Sequence, residues 1–153
     1  MSEISYKKNL IQNPVLEVGA TKEIKGRQNP TMTFMSNDLV PGSNTYIEVG
    51  WIYEIPQPNP HILEHTHDFN EIVLHFGSNP DNPEDLGGEI EFIVGGETLK
   101  ITKTSALFIP KGVPHGPLTW KKVVRPHIQM VVMPGVGTVQ EANPAGYLAE
   151  ENI

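Results

Sequence analysis

Apolar and polar residues alternate along several short stretches of the chain, and helical periodicity is weak throughout. Tyr46–Ile55 (YIEVGWIYEI) places β-branched and aromatic residues at alternate positions, which is typical of a strand with one buried face. Similar patterns predict five further strands, at Glu71–Phe76, Glu89–Val94, Thr98–Thr102, Ala106–Ile109 and His127–Met133. Many short strands of this kind predict an all-β sandwich or barrel.

The connections between these strands carry the chain's glycines and prolines, of which there are 14 each. Gly95 and Gly96 predict a two-residue hairpin turn, and Ser78–Gly88 predicts a long polar loop. The one helix candidate, Val139–Ala142, is limited by Pro144. We therefore divide the chain into an irregular N-terminal segment (1–30), a barrel (31–134) and a C-terminal tail (135–153). We leave open whether the N-terminal segment packs on the barrel or on a partner subunit.

Composition excludes several classes of protein. A length of 153 residues fits one domain, and the absence of cysteine excludes a disulfide framework and a thiolate metal site. The net charge of -7 argues against binding nucleic acid through its phosphates. Neither a membrane-spanning apolar run nor a signal-peptide pattern occurs, so we expect a cytoplasmic protein with no membrane partner.

The candidate chemistry is concentrated in His61–Glu71 (HILEHTHDFNE). His65 and His67 are two residues apart, so in a strand they point to the same face. Glu71 has the same parity, and a bend before it would aim its carboxylate at the same point. The turn Pro110–His115 (PKGVPH) can fold His115 back over the sheet as a third imidazole.

These two segments resemble the paired motifs of the cupin superfamily. The first motif is matched by His65, His67 and Glu71, and the second by Pro110, Gly112 and His115. The chain departs from the family pattern only at turn and flanking positions, namely Asn59, Gly77, Thr104 and Thr119. The resemblance covers roughly Tyr46–Met133. It implies a small single-domain jelly-roll barrel, a double-stranded β-helix, with one divalent metal ion inside.

Three imidazoles and one carboxylate are a mixed nitrogen and oxygen ligand set. Such a set suits Fe(II), which we favour, or Mn, Ni, Co, Cu or Zn, and it disfavours Ca and Mg. About two octahedral positions remain for water or substrate, as in a working metal site. We expect a metalloenzyme, such as a dioxygenase, that acts on a chelating, oxygen-rich small molecule. The alternatives are a non-oxidative isomerase, decarboxylase or lyase, and a non-catalytic small-molecule-binding barrel.

Further residues are candidates for catalysis or substrate binding. Glu71 can also accept a proton, and His75 shares its parity; His75 or His127 is the candidate base of a non-oxidative enzyme. The residues that we expect to contact substrate are polar ones of the last strand and aromatic ones elsewhere: Arg125, His127, Gln129, Phe69, Trp51 and Tyr53. A solvent-facing position is at least as good an interpretation of the polar residues, and a plain core position is the more common one for the aromatic residues.

One strand predicts a second apolar surface. If Glu71 and His75 point into the barrel, then Ile72, Leu74 and Phe76 point outward and need cover, because large apolar patches rarely stay exposed. An end segment or a second subunit can supply that cover, and we expect a homodimer.

Overall fold

The computed structural model describes residues 4–19 and 22–142, and the architecture of this part of the chain is almost entirely β. Its strands are β1 (Lys25–Arg27), β2 (Met32–Met35), β3 (Thr45–Gln57), β4 (Glu71–Gly77), β5 (Asp85–Val94), β6 (Glu97–Lys103), β7 (Ser105–Ile109), β8 (His115–Val123) and β9 (His127–Pro134). A 3₁₀ turn at Lys7–Asn9 and a short helix, α1 (Val139–Ala142), are its helical elements. The all-β prediction is confirmed.

Two antiparallel sheets face each other. The larger has the order β1-β3-β9-β4-β7, with β2 also paired to β3, and the smaller has the order β6-β5-β8. Residues of both sheets form the main core between them: Ile52, Val73, Leu86, Ile90, Phe92, Ile109, Leu118 and Trp120. Burying a side chain of this size stabilises a fold by about 1.5–3 kcal/mol, so this shared core holds the two sheets together.

The six strands expected from alternation are all present, and the Gly95-Gly96 turn joins β5 to β6, with Val94 opposite Glu97. The predicted loop Ser78–Gly88 is too long, because β5 already begins at Asp85. β8 was not predicted from alternation. Gly116, Pro117 and the pair Lys121-Lys122 hide its pattern, and its register with β5 shifts at two places.

The N-terminal part of the chain contacts the edge of the larger sheet. Val15 and Thr33 exchange two backbone hydrogen bonds, of 3.1 and 2.8 Å, and β1 pairs with the far end of β3. Val18 and Ile24 are buried there, packed against Val139. No helix within the described residues is long and apolar enough to cross a membrane.

The two sheets differ in the faces that they turn outward. In β4, Glu71, Val73 and His75 are buried, and the intervening residues point away from the interior, as the parity of that strand predicted. Together with neighbouring strands they form what we call the outer apolar face: Ile47, Val49, Trp51, Tyr53, Ile72, Leu74, Phe76, Phe108, Ile128, Met130 and Val132. None of these residues is charged, whereas the smaller sheet pairs Lys100 with Glu89 and Lys121 with Glu91 on its outer side.

Candidate metal centre

The two histidine-bearing segments are joined by backbone hydrogen bonds. The amide of His65 donates to the carbonyl of His115 (2.9 Å), and the amide of His115 donates to the carbonyl of His65 (3.0 Å). His115 is the first residue of β8, and Glu71 is the first residue of β4. Around His65 the chain forms only isolated bridges rather than the strand expected there. The bend that this permits lets all four side chains meet at one end of the barrel.

The four predicted metal ligands form one cluster. The ligand atoms of His65, His67, Glu71 and His115 all lie within 4.8 Å of one another. The Oε2 atom of Glu71 is 2.7 Å from Nε2 of His67 and 3.1 Å from Nε2 of His115. This donor set is the mixed nitrogen and oxygen set that suits a divalent transition metal, so the residues fit the ion that the motifs imply.

Backbone carbonyls orient the three imidazoles in the same way. Nδ1 of His65 lies 2.8 Å from the carbonyl of Leu63, and Nδ1 of His115 lies 2.8 Å from that of Val113. Nδ1 of His67 lies 3.1 Å from the carbonyl of Phe69. Because a carbonyl oxygen only accepts, each Nδ1 carries the hydrogen, and each Nε2 is turned toward the cluster. This is the orientation that backbone partners give to metal-binding histidines.

The electrostatics of the cluster favour an anionic Glu71 and a neutral His65. Burial by itself would raise the pKa of Glu71, but the rings of His115 and His67, which donate to the carboxylate when their Nε2 atoms also carry a proton, outweigh burial and lower that pKa to about 2. Burial lowers the pKa of His65 below its usual value. A carboxylate and an uncharged imidazole are the forms in which these side chains bind metal ions.

A cavity of about 50 Å³ adjoins the cluster. Its polar lining includes His65, Glu71 and His115, together with three residues from the far side: Arg27, Glu48 and Gln129. Of these three, only Gln129 was predicted. Glu48 could have been predicted from the sequence, because it lies on the same face of β3 as the buried Tyr46 and Ile52. No sequence pattern could have predicted Arg27, since β1 is only three residues long.

Glu48 is a second acidic side chain in this cavity. The hydroxyl of Thr31 donates to its Oε1 at 2.8 Å. Burial raises the pKa of Glu48, and the nearby Glu71 and Glu17 act in the same direction, while Thr31 and Arg27 oppose them. The group is therefore held closer to its proton-bearing form than an ordinary glutamate.

His75 and His127 lie deeper in the barrel and are not among the residues that line this cavity. Nε2 of His75 is 3.2 Å from Nε2 of Gln129, and the indole Nε1 of Trp120 donates to Nε2 of His127 at 3.1 Å. Burial lowers the pKa of His75 to about 3 and that of His127 to about 4. Both are neutral near pH 7 and belong to a packed layer below the cluster.

The remaining predicted substrate residues are divided between the site and the surface. Phe69 stacks on His67 with ring centroids 3.9 Å apart, so it flanks the cluster. Trp51 and Tyr53 do not line the cavity; they point outward from β3 and are 39% and 49% exposed, because the parity of the strand turns Ile52 inward. Arg125 precedes β9 and instead pairs with Asp85 at the surface.

The two motifs thus meet at one end of a barrel made of two antiparallel sheets, with one carboxylate and three imidazoles turned toward one point. The chain has a cupin fold. That is the architecture which the resemblance to the cupin motifs implied, and this part of the prediction is confirmed.

Comparisons with known proteins find similarity to solved structures. No protein-family model matches this chain, and no curated protein matches its sequence. It is similar to the polyketide cyclase RemF from Streptomyces resistomycificus (TM-score 0.48, 13% identity, 88% of this chain and 80% of that one). It is also similar to a predicted oxalate decarboxylase from Thermotoga maritima (TM-score 0.49, 10% identity, 86% of this chain and 99% of that one). A third similar structure is an RmlC-like cupin from Shewanella frigidimarina (TM-score 0.43, 15% identity, 81% of this chain and 93% of that one). At these identities and TM-scores, the reaction or substrate of a similar protein cannot be assigned to this chain.

Proposed function

We propose that the protein is a metal-dependent enzyme that acts on a small, oxygen-rich, chelating molecule, with oxygenation as the first candidate reaction. The observation that carries this proposal is the shared orientation of three imidazoles around Glu71, at the mouth of a cavity. A closed structural site needs no such cavity, whereas a working site needs room for substrate beside the metal.

His65, His67, Glu71 and His115 would hold the ion, with Fe(II) favoured and Mn, Ni, Co, Cu or Zn also compatible with the ligands. When bound, such an ion supplies Lewis acidity and, for iron, a place for dioxygen beside a chelated substrate. The protein's own residues orient the imidazoles through their Nδ1 hydrogen bonds. Phe69 and the apolar cavity lining, including Phe92 and Leu118, limit the access of water.

The test begins with metal content. Protein purified without chelators or an affinity tag should contain close to one transition-metal ion per chain, measured by elemental analysis. His67→Ala should lower the affinity for that ion by at least about 100-fold, because even partners outside the ligand set cost about 10–100-fold. His61→Ala is the matched control, since His61 lies outside the cluster. Unchanged metal content in His67→Ala would contradict the proposal.

The reaction class is tested by oxygen uptake with a panel of diketones, catechols and hydroxy acids. Oxygenation requires oxygen consumption that depends on both substrate and metal. Turnover without oxygen consumption would favour the second candidate, a non-oxidative isomerase, decarboxylase or lyase. Glu48 favours that candidate, because a buried carboxyl group with a raised pKa in the same cavity is suited to proton transfer. Tight binding of a small molecule with no turnover would favour the third candidate, a non-catalytic binding protein.

We also propose that the protein is a homodimer joined through the outer apolar face. This face spans four adjacent strands without a charged residue, and Trp51, Tyr53 and Phe108 on it are 39%, 49% and 56% exposed. Uncharged sheet faces pack well against one another, and a two-fold axis would bring the same surface of a second copy onto it. The smaller sheet, with its charged outer side, offers no such surface.

A further inference from the structure

His67 is held differently from the other three residues of the metal cluster. His115 and Glu71 are the first residues of β8 and β4, and His65 forms a bridge with His115. His67 lies between these elements, in neither a strand nor a bridge. Its backbone carbonyl accepts a hydrogen bond of 2.9 Å from the amide of Gly112. Strand pairing therefore fixes the backbone of three ligands, whereas the fourth depends more on contacts of its own side chain.

The contact that orients the His67 ring comes from Phe69, two residues along the chain. The two rings stack with centroids 3.9 Å apart and planes 2° apart. The carbonyl of Phe69 also accepts the Nδ1 hydrogen of His67, at 3.1 Å. One residue thus holds the plane of the imidazole through its side chain and the direction of the imidazole through its backbone. Both contacts leave Nε2 of His67 turned toward Glu71, 2.7 Å from its Oε2.

Phe69 is itself held by the interior of the protein. It packs against a hydrophobic cluster that consists of Tyr46, Met133, Val136 and Ala142. This cluster joins β3, the end of β9 and α1, so parts of the chain far from His67 in sequence support the ring that stacks on it. A side chain packed in this way has few rotamers available, and it limits the rotation of the imidazole beside it.

The stacked geometry also favours a metal-bound imidazole. When Nε2 of His67 binds a divalent ion, the imidazole ring gains positive charge. The face of a phenyl ring carries negative charge, so it attracts a cationic group that lies over it. An aliphatic side chain of similar size would fill the space beside the imidazole without this attraction. The contact is therefore expected to be stronger in the metal-bound form.

We propose that Phe69 is a positioning residue for the metal centre. Its ring holds the imidazole of His67 in the orientation in which Nε2 binds the ion, and its effect passes through His67. This role differs from the substrate contact that the sequence led us to expect of Phe69. The inference rests on the proposed function, because it requires a metal at the cluster.

The experiment measures the affinity for Co²⁺ by titration calorimetry, together with the visible absorption spectrum of the bound ion. Phe69→Leu keeps an apolar side chain and leaves the backbone carbonyl in place, so it removes the stacked ring. We expect it to lower the affinity by about 10-fold, as for other partners outside the ligand set. Its spectrum should shift toward that of His67→Ala. Phe69→Tyr keeps an aromatic ring and should restore most of the affinity.

A double-mutant cycle tests whether Phe69 acts through His67. If it does, adding Phe69→Leu to His67→Ala should change the Co²⁺ affinity by no more than about 2-fold, the usual margin of such cycles. A general loosening of the fold would instead lower the affinity in both backgrounds. Phe69→Met, which is unbranched and flexible, provides the result if Phe69→Leu fails to fold.

Val123→Ala is the matched control. Val123 is a partly buried residue that packs against the main core, and it lies at the opposite end of β8 from His115. The variant should lower the free energy of unfolding, measured with denaturant, without changing the Co²⁺ affinity or the spectrum. A loss of stability alone would then not explain the effect of Phe69→Leu.

The outcomes separate this inference from the function beneath it. If Phe69→Leu binds Co²⁺ as tightly as the wild type and with the same spectrum, the ring does not position His67 and only this inference fails. It also fails if Phe69→Tyr loses as much affinity as Phe69→Leu, or if Phe69→Leu has its full effect in the His67→Ala background. If the wild type does not bind Co²⁺, the proposed metal function fails, and this inference fails with it.

Discussion

At the scale of single residues, His61 shows how a buried imidazole can lie outside the metal chemistry. It is 6% exposed and stacks on Trp120 with ring centroids 5.4 Å apart and planes 9° apart. Among the described residues, neither ring nitrogen of His61 has a hydrogen-bond partner. A phenyl ring can make the same stacking contact without nitrogens that need partners.

We therefore predict that His61→Phe stabilises the protein, raising the free energy of unfolding by about 1–2 kcal/mol at pH 7.5. Burial first, and the cations Arg27 and Lys22 next, lower the pKa of His61 to about 3 in the folded state. As pH falls below about 6.5, His61 is therefore protonated in the unfolded chain but not in the folded protein. This difference lowers the free energy of unfolding of the wild type, and the variant does not share the loss. At pH 5.5 the advantage of the variant should grow by about 1.4 kcal/mol, measured by denaturant unfolding.

His127→Phe is the control for this prediction. It removes the acceptor of the Trp120 indole, a hydrogen bond of 3.1 Å in the interior, and leaves a buried donor without its partner. We expect it to destabilise the protein at pH 7.5 by about 1–3 kcal/mol. If His61→Phe destabilises the protein as much as His127→Phe does, the nitrogens of His61 have partners in solution.

Residue spacing predicted the cluster but not the whole cavity. His65, His67, Glu71 and His115 sit in segments whose residue types and spacing have a chemical reason, so they could be found without a structure. Glu48 and Arg27 come from strands at the other side of the larger sheet. Which side chains share a cavity depends on how strands are ordered in space, and that order is absent from local patterns.

At the scale of elements, the close contact between the extended chain around Leu63 and the start of β8 brings the two halves of the site together. Gly116 has a φ of 106°, and a Cβ there would press on the backbone of Leu63 and lie 2.8 Å from the amide nitrogen of Glu64. The neighbouring backbone, unlike a flexible side chain, cannot move away cheaply. This glycine allows the approach that pairs His65 with His115.

Gly116→Ala should therefore separate the two segments. We predict a loss of about 3 kcal/mol or more in the free energy of unfolding, from backbone strain and this contact. We also predict at least a 10-fold loss of metal affinity, measured by calorimetry on the folded variant below its melting temperature. Gly112→Ala is the control: its φ is 79°, but no atom lies within 4 Å of the added Cβ, so only about 1–2 kcal/mol is expected. Equal losses in the two variants would contradict the role of this contact.

The alternation of apolar and polar residues predicted the strands that have one clearly apolar face. It did not predict β1, β2 or β8. β3, β4 and β9 follow the pattern because one of their faces lies against the core. β1 and β2 are three and four residues long, too short for a period of two to stand out. β8 was missed because its inward residues are interrupted by a glycine and a proline that shape the site.

At the scale of the whole molecule, the outer apolar face should determine the oligomeric state. We predict that the wild-type protein has about twice the chain mass of 16.9 kDa in solution. Leu74→Glu should convert it to a monomer, because two-fold symmetry buries the new charge twice. Size-exclusion chromatography with light scattering at micromolar concentration measures this. Thr98→Glu, on the charged outer side of the smaller sheet opposite Ile93, should remain dimeric. A monomeric wild type would overturn the proposed dimer.

The order of strands in the larger sheet also bears on how the chain can be divided. A break in the exposed connection near Asp81 would leave His65, His67 and Glu71 on one fragment and His115 on the other. Because β9 lies between β3 and β4, the second fragment would have to insert a strand into the first. Neither fragment alone holds the complete ligand set. High-affinity metal binding would then appear only when the two fragments reassemble. Metal binding would therefore report whether the two fragments have associated.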